Sequence, residues 1–193
     1  MQNRTFMKVG IISFQGDVSE HSAVIRALGH QPVEIRSLAE CQGLMHIIIP
    51  GGESTVIARF LKETGVDAWM IGEAKRGLLS IFGTCAGAIL LAHEAVGKNA
   101  PETLDLMNIT VERNAYGCQR DSFEETVIVA GIDHAVRAAF IRAPRITRAG
   151  KDVEVLAQKN AEPILVRCGR ILASTFHPEV RGDATLHAFF LSL

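Results

Sequence analysis

Through the first half of the chain, short apolar runs alternate with stretches of helical spacing, and that alternation leaves few folds open. Residues 8–14 read as a buried strand. Asp17 and Glu20 form a D-x-x-E capping signal for a helix with Val18, Val24, Ile25 and Leu28 on one face, closed by Gly29. Residues 32–35 and 44–49 are expected as the second and third strands. Helical spacing returns at Val56, Ile57, Phe60 and Leu61 and ends at Gly65, and a further helix around Trp69 ends near Gly77. Residues 78–82 are strand again, with 86–95 as the helix after it. A parallel strand pair needs a crossover long enough to hold a helix, so this order predicts an α/β fold with a largely parallel sheet. The second half changes character. Residues 110–111, 124–129, 153–157, 163–166 and 170–176 look like strands with few helices between them. They are expected as antiparallel hairpins added to or flanking the sheet, before a last helix from about Ala184.

Composition narrows the class. A chain of 193 residues, 48% hydrophobic and 21% charged, can bury a core without a metal or disulfide staple, and residues 1–193 are expected to form a single domain. Twenty basic against twenty-one acidic side chains leave a formal charge of −1. That balance gives no electrostatic footprint for nucleic acid or an anionic membrane. The four cysteines, Cys41, Cys85, Cys118 and Cys168, contain no C-x-x-C pair, so neither a zinc ribbon nor a thioredoxin-like motif is on offer. The uncharged stretch 77–92 falls short of a membrane span and is broken by Ser80, Gly83, Thr84 and Gly87. With no secretory leader visible, a reducing cytoplasm is the expected setting, and no metal or cofactor site is expected.

In open α/β sheets, sites form at the carboxyl ends of strands. Gly83-Thr84-Cys85-Ala86-Gly87 follows one such strand and opens a helix. It is the cysteine form of a nucleophile elbow: the glycines permit a turn so tight that the middle side chain projects from the sheet edge. The helix start behind Cys85 favours a thiolate and offers N–H groups to an oxyanion. The competing reading is a packed Cys in a small-residue turn. A thiol nucleophile needs a base and the base an orienting group. His177-Pro178-Glu179, just after an apolar run, supplies both. His21, His30, His93, His134 and His187 fall in helical or loop patterns and His46 within a strand, which reads as surface or core-satisfied histidine. Pro50-Gly51-Gly52-Glu53-Ser54-Thr55 also joins a strand to a helix. It lacks the spacing and Lys of a phosphate loop, so its glycines mark either a close backbone approach to a ligand or a capped helix start.

Together the elbow, the Pro-Gly-Gly-Glu-Ser-Thr loop and the His-Pro-Glu ending resemble the class I (triad) glutamine amidotransferases. Four further stretches narrow the resemblance. They are Gln15-Gly16-Asp17 with Glu20-His21, Arg113-Asn114-Ala115-Tyr116-Gly117, Asp121-Ser122-Phe123-Glu124 and Phe140-Ile141-Arg142-Ala143-Pro144. These are similar to the glutaminase subunits of pyridoxal 5′-phosphate synthases, from about residue 8 to residue 180.

The resemblance implies a three-layer, flavodoxin-like sheet, and hydrolysis of L-glutamine to L-glutamate and ammonia. The ammonia passes to a barrel-shaped, oligomeric synthase subunit that builds the vitamin B6 cofactor. It further implies that Cys85 attacks the carboxamide, His177 shuttles protons and Glu179 holds the imidazole. Substrate binding falls to Gly51, Gly52, Glu53, Ser54, Ala86, Arg113, Ile141 and Arg142, with Gly52 and Ala86 amides as the oxyanion hole. Gln15 belongs to the activation interface, and docking of the synthase is expected to turn an N–H of the Gly51–Gly52 loop toward the site. Two departures stand out. Cys118 occupies a position where the family often has Arg, and the chain ends at Leu193 directly after its last expected helix, which predicts weaker docking where the synthase contacts a longer tail. The alternatives are a triad glutaminase serving another synthase, a γ-glutamyl hydrolase acting alone, and a non-catalytic regulatory subunit.

Overall fold

The computed structural model describes residues 6–113 and 122–193. The first half runs β1 (Lys8–Ile12), α1 (Val18–Ala27), β2 (Gln31–Ile35), β3 (His46–Ile49), α2 (Ser54–Thr64), α3 (Val66–Lys75), β4 (Ser80–Thr84) and α4 (Ala86–Leu91). After it come β5 (Ala92–Val96), β6 (Met107–Glu112), β7 (Phe123–Val127), β8 (Val136–Phe140), β9 (Arg145–Ala149), β10 (Glu154–Lys159), β11 (Glu162–Cys168), β12 (Ile171–Ser174) and α5 (Thr185–Leu191). A seven-stranded sheet in the order β10-β11-β12-β4-β3-β1-β2 forms the centre. Strands β2, β1, β3, β4 and β12 are mutually parallel, the flavodoxin-like order, and β11 and β10 extend that sheet antiparallel.

The central strands are buried on both faces. Every residue of β3 and β4 is inaccessible, and alternate side chains feed opposite layers. Ile47, Ile49 and Ile81 join Ile57, Leu61 and Met70 of α2 and α3 in one apolar cluster. Ile48 and Phe82 join Ile25 of α1 and Leu186 and Phe190 of α5 in another. The sheet is therefore the middle of three layers, and its period-two alternation sets which layer each residue serves. The antiparallel strands of the second half are present as expected. They include the β6–β9 pair, the β7–β8 hairpin and β10–β11, whereas β5 joins β6 in parallel.

Three sequence expectations need correction. The helix expected over 86–95 stops at Leu91, because residues 92–96 pair with β6 in register Ala92↔Met107 and Ala95↔Val111; strand pairing overrides the helix propensity of Ala and Glu. Strands β8 and β9 were not anticipated. Their short, Arg-interrupted patterns carry little period-two signal on their own, and each is fixed by an antiparallel partner. Asp17 begins α1 but makes no side-chain capping bond; its carboxylate is engaged elsewhere. Among the described residues, no helix is long and apolar enough to cross a membrane.

Candidate active site

The parallel strands β1, β3, β4 and β12 end at one edge of the sheet. The loops after them carry Gln15, residues 51–54, Cys85 and His177, while Arg113 follows β6 and Ile141 and Arg142 follow β8. A cleft of about 320 Å³ opens there, lined by Gln15, Gly52, Glu53, Ser54, Cys85, Ala86, Arg113, Ile141, Arg142 and His177, and also by Asp17 and Ile89. Of the expected site residues, Gly51 and Glu179 stand behind the cleft wall rather than on its surface. Asn114, Ala115, Tyr116 and Gly117, together with Cys118 and Asp121, lie outside the described residues.

Cys85 sits on the turn between β4 and α4 with φ 48° and ψ −99°. A non-glycine residue held there stores about 1–3 kcal/mol of strain, which its surroundings must over-determine. They do so by close approach. A Cβ on Gly83 would lie 2.6 Å from the Gly87 carbonyl carbon, and one on Gly87 would lie 2.2 Å from the Ile49 carbonyl oxygen. Without side chains at both positions, α4 packs directly against β4 and β3, and the Cys85 amide donates to Ser174 O on β12 at 2.9 Å. Sγ is left in the cleft, 3.9 Å from Ile141 O.

His177 is fixed through its backbone, which pairs with Ala139 of β8; its amide donates to Ala139 O at 2.8 Å. Its Nδ1 lies 2.8 Å from Glu179 Oε1 and 3.2 Å from Asp17 Oδ2. Burial works to lower the His177 pKa, but hydrogen bonding to Asp17, Cys85 and Glu179 outweighs it and lifts the imidazolium well above its usual range. Glu179 is 2% exposed. Burial pushes its carboxyl up, yet His21 and His177 together overcome that and hold it well below the usual carboxylate range. Asp17, His177 and Glu179 also form a compact donor set, but His177 Nδ1 and Glu179 Oε1 are already spent on each other, so the cluster has the chemistry of a hydrogen-bonded base rather than of a metal cage.

The Gly51–Gly52 loop is tied down on both sides. Gly51 N donates to Thr84 Oγ1 at 3.1 Å and Gly51 O accepts from Asp17 N at 3.3 Å. Gln15 Oε1 accepts from Glu53 N at 2.7 Å. Glu53 caps α2 through Thr55 and pairs with Arg113 Nη2 at 2.7 Å. Arg113 also donates to the carbonyls of Lys98 and Asn99, so its guanidinium is largely consumed by protein. Arg142, with φ 48°, lines the cleft, is exposed, and makes no ion pair among the described residues. Ser54 Oγ is buried without a hydrogen-bond partner among them.

Two residues escaped the sequence reading. Asp17 was assigned to helix capping, although it directly follows Gln15 and Gly16 beyond the end of β1. The sequence reads His21 as a surface or core-satisfied histidine without a place at the site; it shares the spacing of Val24, Ile25 and Leu28, which puts an imidazole on the buried stripe of α1, beside Glu179. That spacing was a legible signal of a core histidine near the strand ends.

The family model of the SNO glutamine amidotransferase family matches residues 11–193. A pyridoxal 5′-phosphate synthase subunit PdxT from Thermus thermophilus is 44% identical over 185 residues, covering 96% of this chain and 96% of that protein. The PdxT subunit of Caldicellulosiruptor saccharolyticus is 45% identical over 184 residues, covering 95% of this chain and 96% of its own. Among solved structures, a glutamine amidotransferase superposes with a TM-score of 0.91 at 44% identity, covering 95% of this chain and 97% of that one.

Proposed function

The chain belongs to the SNO glutamine amidotransferase family, and we propose that it is the glutaminase subunit of a pyridoxal 5′-phosphate synthase, acting as one domain over residues 1–193. It hydrolyses L-glutamine to L-glutamate and ammonia and passes the ammonia to the synthase subunit, a barrel-shaped oligomer on this reading. Near-full-length identity to PdxT subunits supports the assignment. The observation that carries the chemistry is local. Cys85 projects from a strained elbow into the same cleft as His177, whose Nδ1 is 2.8 Å from a buried carboxylate.

In this mechanism the Cys85 thiol proton passes to His177, and Sγ attacks the carboxamide carbon of glutamine. His177 then gives that proton to the amide nitrogen, the C–N bond breaks and ammonia leaves, with a γ-glutamyl thioester on Cys85. Water, deprotonated by His177, attacks the thioester and releases glutamate and the thiol. Glu179 accepts from Nδ1–H and so keeps the other ring nitrogen available to Sγ. The amides of Gly52 and Ala86 stabilise the oxyanion. Arg142, the guanidinium in the cleft with no ion pair among the described residues, suits the α-carboxylate of glutamine, and Glu53 suits its α-ammonium. Arg113 then acts by holding Glu53.

The test is ammonia release from glutamine by the chain alone and with its synthase, beside covalent labelling of Cys85 by diazo-oxo-norleucine. Turnover with synthase, lost in Cys85→Ser, is expected. Equal turnover without synthase would keep the chemistry and remove docking activation. Absence of both turnover and label in the mixture would leave a regulatory subunit.

A further inference from the structure

Behind the triad lie two imidazoles that the glutaminase mechanism does not use. His21 on α1 and His187 on α5 are both fully buried. His21 Nδ1 lies 2.9 Å from His187 Nε2, and His21 Nε2 lies 3.4 Å from Glu179 Oε1 and 3.2 Å from Thr84 Oγ1. Glu179 Oε2 has no hydrogen-bond partner among the described residues. The carboxylate is thus held at one oxygen, by His177 from one side and His21 from the other.

We propose that His21 is a positioning residue that anchors Glu179, and that His187 sets the tautomer of His21 that makes this possible. The proposal rests on the roles given above to Cys85, His177 and Glu179. Its argument is a proton count. A single proton lies between His21 Nδ1 and His187 Nε2. His187 Nδ1 has no partner among the described residues. A buried N–H without an acceptor is rarer and costlier than a bare lone pair, so the proton of His187 sits on Nε2 and is donated to His21 Nδ1. Burial holds the His187 pKa down to about 3, which keeps that ring neutral. His21, accepting at Nδ1, carries its own proton on Nε2, aimed at Glu179 Oε1 and Thr84 Oγ1. The opposite tautomer would set a lone pair against the carboxylate and leave Oε1 with His177 and no second donor.

The groups facing this pair are His21 from α1, Thr84 from β4, Glu179 from the turn after His177 and His187 from α5, and the Asp183 carboxylate ahead of α5 also acts on His187. Phe82 packs edge-on against the His187 ring at 5.6 Å and holds its plane. Thr84 Oγ1 also accepts from Gly51 N, so the His21 donor is shared between the triad and the anchor of the glycine loop.

Two measurements test this. Ring-nitrogen NMR of the full chain labelled with ¹⁵N-histidine reads the tautomers directly, and protons on Nε2 of both His21 and His187 are expected. His21 protonated on Nδ1 alone would overturn the proposal. Glutaminase kinetics with the synthase then compare His187→Leu, which removes the donor, with His187→Gln, whose amide can replace it. The Leu variant should lose about 10- to 100-fold in kcat, with KM changed by less than about twofold and a shifted acid limb of the pH profile. The Gln variant should recover most of that loss and the wild-type pH profile. Two variants equally slow with an unshifted profile, or a Leu variant with wild-type kcat, would make His187 a packing residue and overturn the proposal. A wild-type chain inactive with its synthase would refute the glutaminase reading instead, and the NMR would still decide the tautomers.

Discussion

Adding one methyl group at Gly51 tests whether His177 must stand where it does. A Cβ there would lie 2.2 Å from His177 Cε1, 2.9 Å from its Nδ1 and 2.8 Å from Asp17 Oδ2. Carbon atoms settle about 3.5–4.0 Å apart, so a gap of about 1.3 Å has to open between the loop and the ring. The loop has little room to yield. Gly51 N is bonded to Thr84, Gly51 O to Asp17 N, and that carbonyl packs so tightly on Gly16 that a Cβ on Gly16 would come within 1.7 Å of it. The ring therefore moves, and a shift of that size carries Nδ1 out of hydrogen-bond range of Glu179, now at 2.8 Å. Misplacing a catalytic group by about 1 Å costs about 10²-fold in rate, and overpacking costs about 1–3 kcal/mol of stability. Gly51→Ala should show both, in ammonia release with the synthase present and in urea unfolding, with KM for glutamine nearly unchanged. Gly72→Ala is the control: beyond its chain neighbours and the backbone of its own helix, no atom lies within 4 Å of its added Cβ, so it should keep full activity and gain about 0.5–1 kcal/mol from removing a helix-interior glycine. Wild-type kcat in Gly51→Ala would show that the imidazole has freedom these contacts deny it, and would refute the argument.

The strain at Cys85 separates chemistry from stability. Cys85→Gly and Cys85→Ala should both be inactive, but the Gly variant should be the more stable by about 1 kcal/mol because it alone relieves φ 48°; equal urea midpoints would count against a strained elbow. Acid stability tests the buried histidine. The folded His187 pKa of about 3 lies below the ordinary 6.5, so the unfolded chain takes the proton first. Stability should therefore fall from pH 6.5 toward pH 3 at up to about 1.4 kcal/mol per pH unit from this group. Glu179, held low in the folded state, adds to the loss only below its ordinary 4.5, as pH falls toward the folded value. His177, held high, contributes below 6.5 and loses that contribution as pH rises through its folded pKa. His187→Gln should flatten urea midpoints between pH 6.5 and 4.5, and slopes identical to wild type would sink the assignment.

What was legible in the sequence follows from which forces are local. The parallel half could be read because the apolar run Ile47–Ile49 of β3 and the Ile81-Phe82 centre of β4 are ended by glycine-containing turns, and burial on both faces favours such apolar strands. The Cys85 elbow, the Gly51–Gly52 loop and His177-Pro178-Glu179 were visible because their chemistry requires specific residue types at fixed offsets. Strand β5 was not, since Ala92-His93-Glu94-Ala95 has helix propensity and becomes strand only by pairing with residues 107–112. Asp17 was misassigned for a related reason. A D-x-x-E pattern marks a helix start correctly here, but the carboxylate is turned toward His177, 160 positions later in the sequence, which no local pattern encodes. The division of labour between Arg113 and Arg142 was equally hidden, because only the fold shows which guanidinium a protein carboxylate already occupies.

The loops bracketing His177 are mechanically one unit, and that bears on activation. Gln15 Oε1 holds the Glu53 amide, Gly16 backs onto the Gly51 carbonyl, and Asp17 uses its amide on that carbonyl and its carboxylate on His177 Nδ1. Turning the Gly51–Gly52 peptide, so that its N–H takes the place of its carbonyl, gives up the 3.3 Å bond from Asp17 N. One backbone hydrogen bond is worth only about 0.5–1.5 kcal/mol net. A change of that size moves a two-state equilibrium by about two- to tenfold, well within what differential contact with a docked subunit supplies. Because Asp17 belongs to both the peptide's anchor and the imidazole's surroundings, a partner that presses on residues 15–17 acts on the oxyanion loop and the base together. Docking activation through this segment would therefore appear in kcat, and leave the glutamine binding proposed for Glu53 and Arg142 largely as it was.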